Sequence, residues 1–127
     1  MVAAVGNAGP KAAVQYPAAF TSVIAVTAVD AEGKIYRKAV QGPHVDIAAP
    51  GVDVLGSTSQ GARFMTGTSI AAPFVTARIA AEPKMLAYAD VTQIRQRLIA
   101  NSRDLGRTGP DSTYGYGLMQ ATDICSP

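Results

Sequence analysis

The chain has 127 residues, of which 48% are hydrophobic and 16% charged, and it contains no tryptophan. One domain of this size buries only a modest core, which excludes a multidomain machine, and the composition is too apolar for a disordered tail. Eleven Lys and Arg against nine Asp and Glu leave a formal charge of +2, too little to make nucleic-acid binding the leading function, and the single cysteine, Cys125, excludes an internal disulfide framework and a Cys-rich zinc site.

The first element in chain order is Val2–Val5, a short apolar run ending at Gly6 that reads as a strand. Its opening residues carry no basic flank and pass at once into Gly6-Asn7-Ala8-Gly9-Pro10, unlike a secretory leader; a start on a core strand points to a further segment upstream. Ser22–Val29, rich in β-branched residues, is a second strand, and Asp30 stops it far short of the roughly 18 to 20 apolar residues of a membrane span. After the polar turn Ala31-Glu32-Gly33-Lys34, residues Ile35–Val40 are expected to pair back as a local hairpin partner. Val45–Ala48, ending at Pro50-Gly51, is a third strand and Val52–Ser57 a weaker fourth. Short runs without polar alternation are the pattern of strands covered on both faces, as in a parallel sheet.

The character changes at Thr68. The Ala-rich stretch from Ser69 to Ala81 reads as a buried helix, with Pro73 placed where a first turn tolerates it and Pro83 closing it. Asp90 is a good N-cap for a last helix to about Ser102, whose Val91, Ile94, Leu98 and Ile99 share one stripe. Arg95, Arg97, Arg103 and Arg107 read as a solvated face. Beyond Leu105 the Gly-, Tyr- and Pro-marked sequence suits a loop and a short closing element.

Two polar features stand out against this α/β background. Gly67-Thr68-Ser69 puts a hydroxyl at a helix N-terminus, where backbone N–H groups and the helix dipole stabilise negative charge on a nearby oxygen, the arrangement acyl transfer needs. Taken alone, the tripeptide reads as a helix cap. Asn7, held between Gly6 and Ala8-Gly9 just after a strand, is placed to present its amide to such an oxygen, although a turn asparagine in a Gly-rich loop has the same local sequence.

Four blocks in order then resemble the subtilisin-like serine peptidases: Ala3-Ala4-Val5-Gly6-Asn7-Ala8-Gly9; Tyr16-Pro17-Ala18 with Ser22–Asp30; Val45-Asp46-Ile47-Ala48-Ala49-Pro50-Gly51; and Gly67-Thr68-Ser69-Ile70-Ala71-Ala72-Pro73. Tyr114-Gly115-Tyr116-Gly117 and the last helix are similar to the family's end. The resemblance implies the C-terminal half of a subtilisin-like three-layer α/β sandwich with a mostly parallel sheet, residues 1–127 forming a partial peptidase domain. It implies Ser69 as nucleophile, Asn7 as oxyanion donor with the Ser69 backbone N–H beside it, and Ala4, Gly6, Gln15 and Ala18 as walls of the primary specificity pocket. Carbonyls near Ala18, Phe20 and Val23 match a weak cation site of some relatives. Carbonyl ligands leave no sequence signal, so no metal is assigned and no cofactor is required for catalysis.

The departures are as informative. In the family the catalytic Asp and His precede the oxyanion asparagine, whereas only six residues precede Asn7 here. The single histidine, His44, falls in Gly42-Pro43-His44-Val45, where it matches no catalytic position and reads as a surface histidine. Phe74 and Ala77 replace a usual histidine and glycine. An α/β-hydrolase order needs a histidine after the serine, and there is none. A chymotrypsin-like order, His44 then Asp46 or Asp53 then Ser69, exists only on paper.

The expectation is therefore a serine-type endopeptidase by resemblance, acting on peptide or protein substrates when completed and catalytically incomplete alone. The alternative is a non-catalytic assembly module that pairs with an N-terminal fragment or with itself. Nucleic-acid and membrane partners are not expected, and the resemblance implies secretion or a periplasmic setting for full-length relatives.

Overall fold

The computed structural model describes residues 1–88 and 90–121. Five short strands form the main sheet: β1 (Val2–Ala4), β2 (Ile24–Val29), β3 (Ile47–Pro50), β6 (Ser102–Arg103) and β7 (Leu118–Met119), in the spatial order β1-β2-β3-β7-β6. The first four neighbours in that order run parallel and only β6 is antiparallel to β7. This is the mostly parallel α/β sheet expected of part of a subtilisin-like domain. The register sets Val2 beside Ile24 and Val26 beside Ile47. Cys125 lies outside the described residues, as does the rest of the closing stretch after Ala121.

β2 explains why its sequence lacks alternation: all six residues are buried. Ile24, Val26 and Ala28 face a cluster with Ile47, Ala49, Ala71, Val75, Met85 and Leu98, while Ala25 faces a second cluster with Val5, Ala18 and Val45. A strand buried on both faces favours apolar residues at every position, and in β2 only Thr27 departs from this.

Helix α1 (Thr68–Ala80) packs across β1, β2 and β3 through one stripe, Thr68, Ala71, Val75 and Arg78. The expectation of a helix buried all round is corrected here, because Pro73, Phe74, Thr76, Ala77 and Ala80 on its other side are exposed. Pro73 is also not in the first turn. It is the sixth helical residue, so the N–H it lacks is one that the Ser69 carbonyl would otherwise accept. Pro83 starts the one-turn helix α2 (Pro83–Leu86), and α1 ends earlier, at Ala80. Helix α3 (Val91–Ala100) is capped as expected, with the Asp90 carboxylate accepting from the Thr92 N–H at 2.9 Å.

Two further expectations are corrected. Residues 35–40 do not form a strand: Ile35 makes a single antiparallel bridge to Val29, after which the chain turns and the Val40 N–H donates to the Gly6 carbonyl. The weaker fourth strand is β4 (Val54–Thr58), which pairs outside the main sheet with β5 (Gly61–Met65) as an antiparallel hairpin.

The arginines split. Arg103 and Arg107 are exposed, but Arg95 donates to Asp46, and Arg97 donates to Glu82 across 2.8 Å. Glu82, nearly buried, also stands 2.7 Å from the Arg78 guanidinium, so two positive charges hold its carboxyl below the usual carboxylate range.

Candidate active site

Parallel strands give the sheet two chemically different ends. Asn7 follows β1 by three residues and Gly51 follows β3 directly; the Gly51 carbonyl accepts from the Gly67 N–H at 2.8 Å, which docks the start of α1 at the carboxyl ends of the strands. Open α/β sheets place their ligands at this end.

Thr68, fully buried at the first position of α1, builds the site. Its N–H and its hydroxyl each lie 2.9 Å from Asn7 Oδ1, and its hydroxyl oxygen accepts from the Gly6 N–H at 3.2 Å. Neither Thr68 nor Ser69 caps the helix, whose N-cap is Gly67 without a side-chain bond. With Oδ1 saturated by two donors, the Asn7 amide is oriented and its Nδ2 is left for another acceptor. A Cβ placed on Gly67 would be 3.5 Å from Asn7 Nδ2 and 3.4 Å from Ser69 Oγ. Ser69 Oγ and Asn7 Nδ2 therefore flank the same face of Gly67, a hydroxyl and an amide donor side by side at the N-terminus of a helix of 13 residues. An acyl carbon attacked by Ser69 in front of that face would have its oxygen within range of the Asn7 amide, with the helix dipole favouring the charge.

Ser69 and Asn7, named from the sequence, lie on the same face of Gly67, and Thr68, which the sequence reading passed over except as a cap, joins them. Ala4, half-buried at the end of β1, lines a groove with Ser69, and Gly6 meets the site through its N–H bond to the Thr68 hydroxyl. A Cβ on Gly6 would overlap the Gln15 side-chain amide, so Gln15 lies over Gly6 next to Asn7. Ala18 is 2% exposed and packs in the second core cluster with Val5.

His44 stands elsewhere. It precedes β3, whose four residues span about 13 Å, while Gly51 and Ser69 belong to the strand's other end. It lines a cavity of about 480 Å³ with Val23, Asp46 and Arg95, at the amino ends of the strands. This placement removes the chymotrypsin-like order, since His44 and Ser69 sit at opposite ends of the sheet. It also corrects the surface reading: both ring nitrogens are buried without a hydrogen-bond partner, and this burial lowers the pKa from its ordinary value, outweighing the opposing pull of Asp46.

The subtilase family profile matches residues 1–117. The chain belongs to the subtilase family. It is 36% identical over 122 residues to the minor extracellular protease Epr of Bacillus subtilis (strain 168), covering 94% of this chain and 19% of that protein. It is 39% identical over 123 residues to a thermostable alkaline protease of Halalkalibacterium halodurans, covering 95% of this chain and 33% of the other. Subtilisin BL of Lederbergia lenta is 36% identical over 124 residues, with 95% of this chain and 44% of that one covered. Among solved structures, the prenylagaramide maturation protease PagA superposes with a TM-score of 0.77 at 28% identity, over 97% of this chain and 48% of that chain. This subtilase chain thus spans less than half the length of each of these relatives.

Proposed function

We propose that the chain supplies the nucleophile and the oxyanion donor of a serine-type endopeptidase acting on peptides or proteins. The carrying observation is that Asn7 Nδ2 and Ser69 Oγ flank the same face of Gly67, with Asn7 Oδ1 already held by Thr68. On this reading Ser69 attacks the scissile carbonyl, Asn7 Nδ2 and the Ser69 N–H stabilise the oxyanion, and an acyl-enzyme forms on Ser69. The proton leaving Ser69 Oγ requires a base, and the only histidine of the sequence is at the wrong end of the sheet. The base therefore comes from a segment beyond these residues, and the chain alone is inactive. The extracellular relative supports a secreted setting; no described helix is long and apolar enough to cross a membrane.

The test mixes the purified chain with the N-terminal part of a subtilase domain that carries an Asp and a His. Peptide hydrolysis is expected only in the mixture and not with Ser69→Ala. Hydrolysis that survives Ser69→Ala would overturn the proposal.

A second reading, an assembly module for such a fragment, is favoured by the free edge of β1. Among the described residues no strand pairs with its outer side. A groove of about 560 Å³, lined by Val2, Ala3, Ala4, Pro73, Ala77 and Ala80, runs along that edge to Ser69. Unpaired edges of this kind recruit further strands. A second copy of the chain is the competing occupant, and sedimentation before and after adding the fragment separates the two.

A further inference from the structure

The loop before β2 is where the family resemblance places a weak cation site of some relatives, built on carbonyls near Ala18, Phe20 and Val23, and the positive charge already seated at its Val23 end makes the residues present a poor fit for one. Arg95 Nη2 donates to the Thr21 and Val23 carbonyls at 2.9 Å each, and the Phe20 carbonyl accepts from the Val23 N–H at 3.0 Å. The carboxylates lining the adjoining cavity are equally committed. Asp46 Oδ1 accepts from Arg95 Nε at 2.8 Å and Oδ2 from the Ala25 N–H at 2.9 Å. Asp111 Oδ1 accepts from the Thr113 and Tyr114 N–H groups at 2.8 Å each, and Oδ2 from the Arg107 N–H at 3.2 Å. His44, an imidazole whose ring nitrogens have no hydrogen-bond partner, adds no negative charge.

We propose that the Arg95 guanidinium is the resident positive charge of the Phe20–Val23 loop, so that this chain ties its loop to β3 and α3 without a metal ion. The planar guanidinium fork suits this role, because Nε takes the carboxylate of Asp46 while Nη2 bridges two carbonyls, three acceptors that a small cation would otherwise gather. A metal ion next to them would meet a fixed like charge and no uncommitted carboxylate oxygen.

The test uses the 127-residue chain and reads cation binding and thermal midpoint, with no reference to activity. Terbium luminescence and calcium or potassium titrations of the chelator-treated chain are expected to show no saturable site, and the midpoint should not move at matched ionic strength. Arg95→Met is expected to lower the midpoint and to gain a calcium- or potassium-dependent rise. A saturable site in the parent chain that raises its midpoint would overturn the proposal, as would a folded Arg95→Met without any cation response. If Arg95→Met does not fold, the parent titration decides alone. Failure of this proposal leaves the reading of Ser69 and Asn7 untouched, because the two sites lie at opposite ends of the sheet.

Discussion

Asn7 anchors the site through its oxygen and keeps its nitrogen for chemistry, so its replacement has two separable effects. Asn7→Ala leaves the buried Thr68 N–H and hydroxyl without their acceptor, and a urea titration should show a loss of about 1–3 kcal/mol. In the assembled enzyme the same change should lower kcat by roughly 10²–10³. Gly67→Ala puts a methyl against both Asn7 Nδ2 and Ser69 Oγ and an L side chain at φ 158° and ψ 160°, backbone that glycine adopts far more readily, so it should lower both the urea midpoint and the labelling of Ser69 in the assembled enzyme. His44 gives a pH prediction of definite sign. Its folded-state pKa is lowered, so the unfolded chain binds the proton first; the contribution to stability is complete above about pH 6.5 and is lost as pH falls through the lower folded value. Urea midpoints should drop between about pH 7 and pH 5, and His44→Phe should flatten that drop; a midpoint that rises on acidification would contradict the burial argument. Ser69 and Asn7 were legible because each sits in a local motif, one opening a helix and one ending a strand. Thr68 and Arg95 were not, since their partners lie 61 and 49 positions away and only the fold brings them together.

At the scale of elements, short apolar runs announced β1, β2 and β3 because a parallel strand covered on both faces has no polar positions. β5 was missed for another reason: Gly61–Met65 is short, mostly exposed and interrupted by Arg63 beside Phe64 and Met65, so no continuous apolar run marks it, and its cross-strand pairing with β4 defines it. Residues 35–40 resemble a strand in composition, yet the chain must turn there to bring Val40 back to Gly6. In α1 the cost of an interior proline falls on one missing bond at the Ser69 carbonyl. Pro73→Ala should restore that bond and stabilise the chain by about 1 kcal/mol or more in chemical denaturation, and a destabilised variant would show instead that the ring packs productively in the groove. The exposed side of α1 was not legible, because alanine is as frequent against solvent as against a sheet that is absent; only the position of β1 at the edge shows which side is open.

For the whole molecule, the direction of the parallel strands separates its functions. The carboxyl ends carry Asn7, Thr68 and Ser69, and the amino ends carry the His44 cavity and the Arg95 clasp. Between the outer edge of β1 and the exposed side of α1 runs the groove that reaches Ser69. Ala77→Arg, a long charge placed in that groove away from the core stripe, should leave the isolated chain folded and abolish uptake of an N-terminal subtilase fragment by sedimentation. The family and the sheet were readable from the sequence, whereas the separation of His44 from Ser69 follows only from strand direction. The central claim is that this chain holds a poised nucleophile that lacks its base, and fluorophosphonate labelling read by intact mass tests it most directly. No adduct is expected on the chain alone, and a single adduct, absent from Ser69→Ala, is expected once the N-terminal fragment is added; an adduct at Ser69 on the chain alone would contradict the claim.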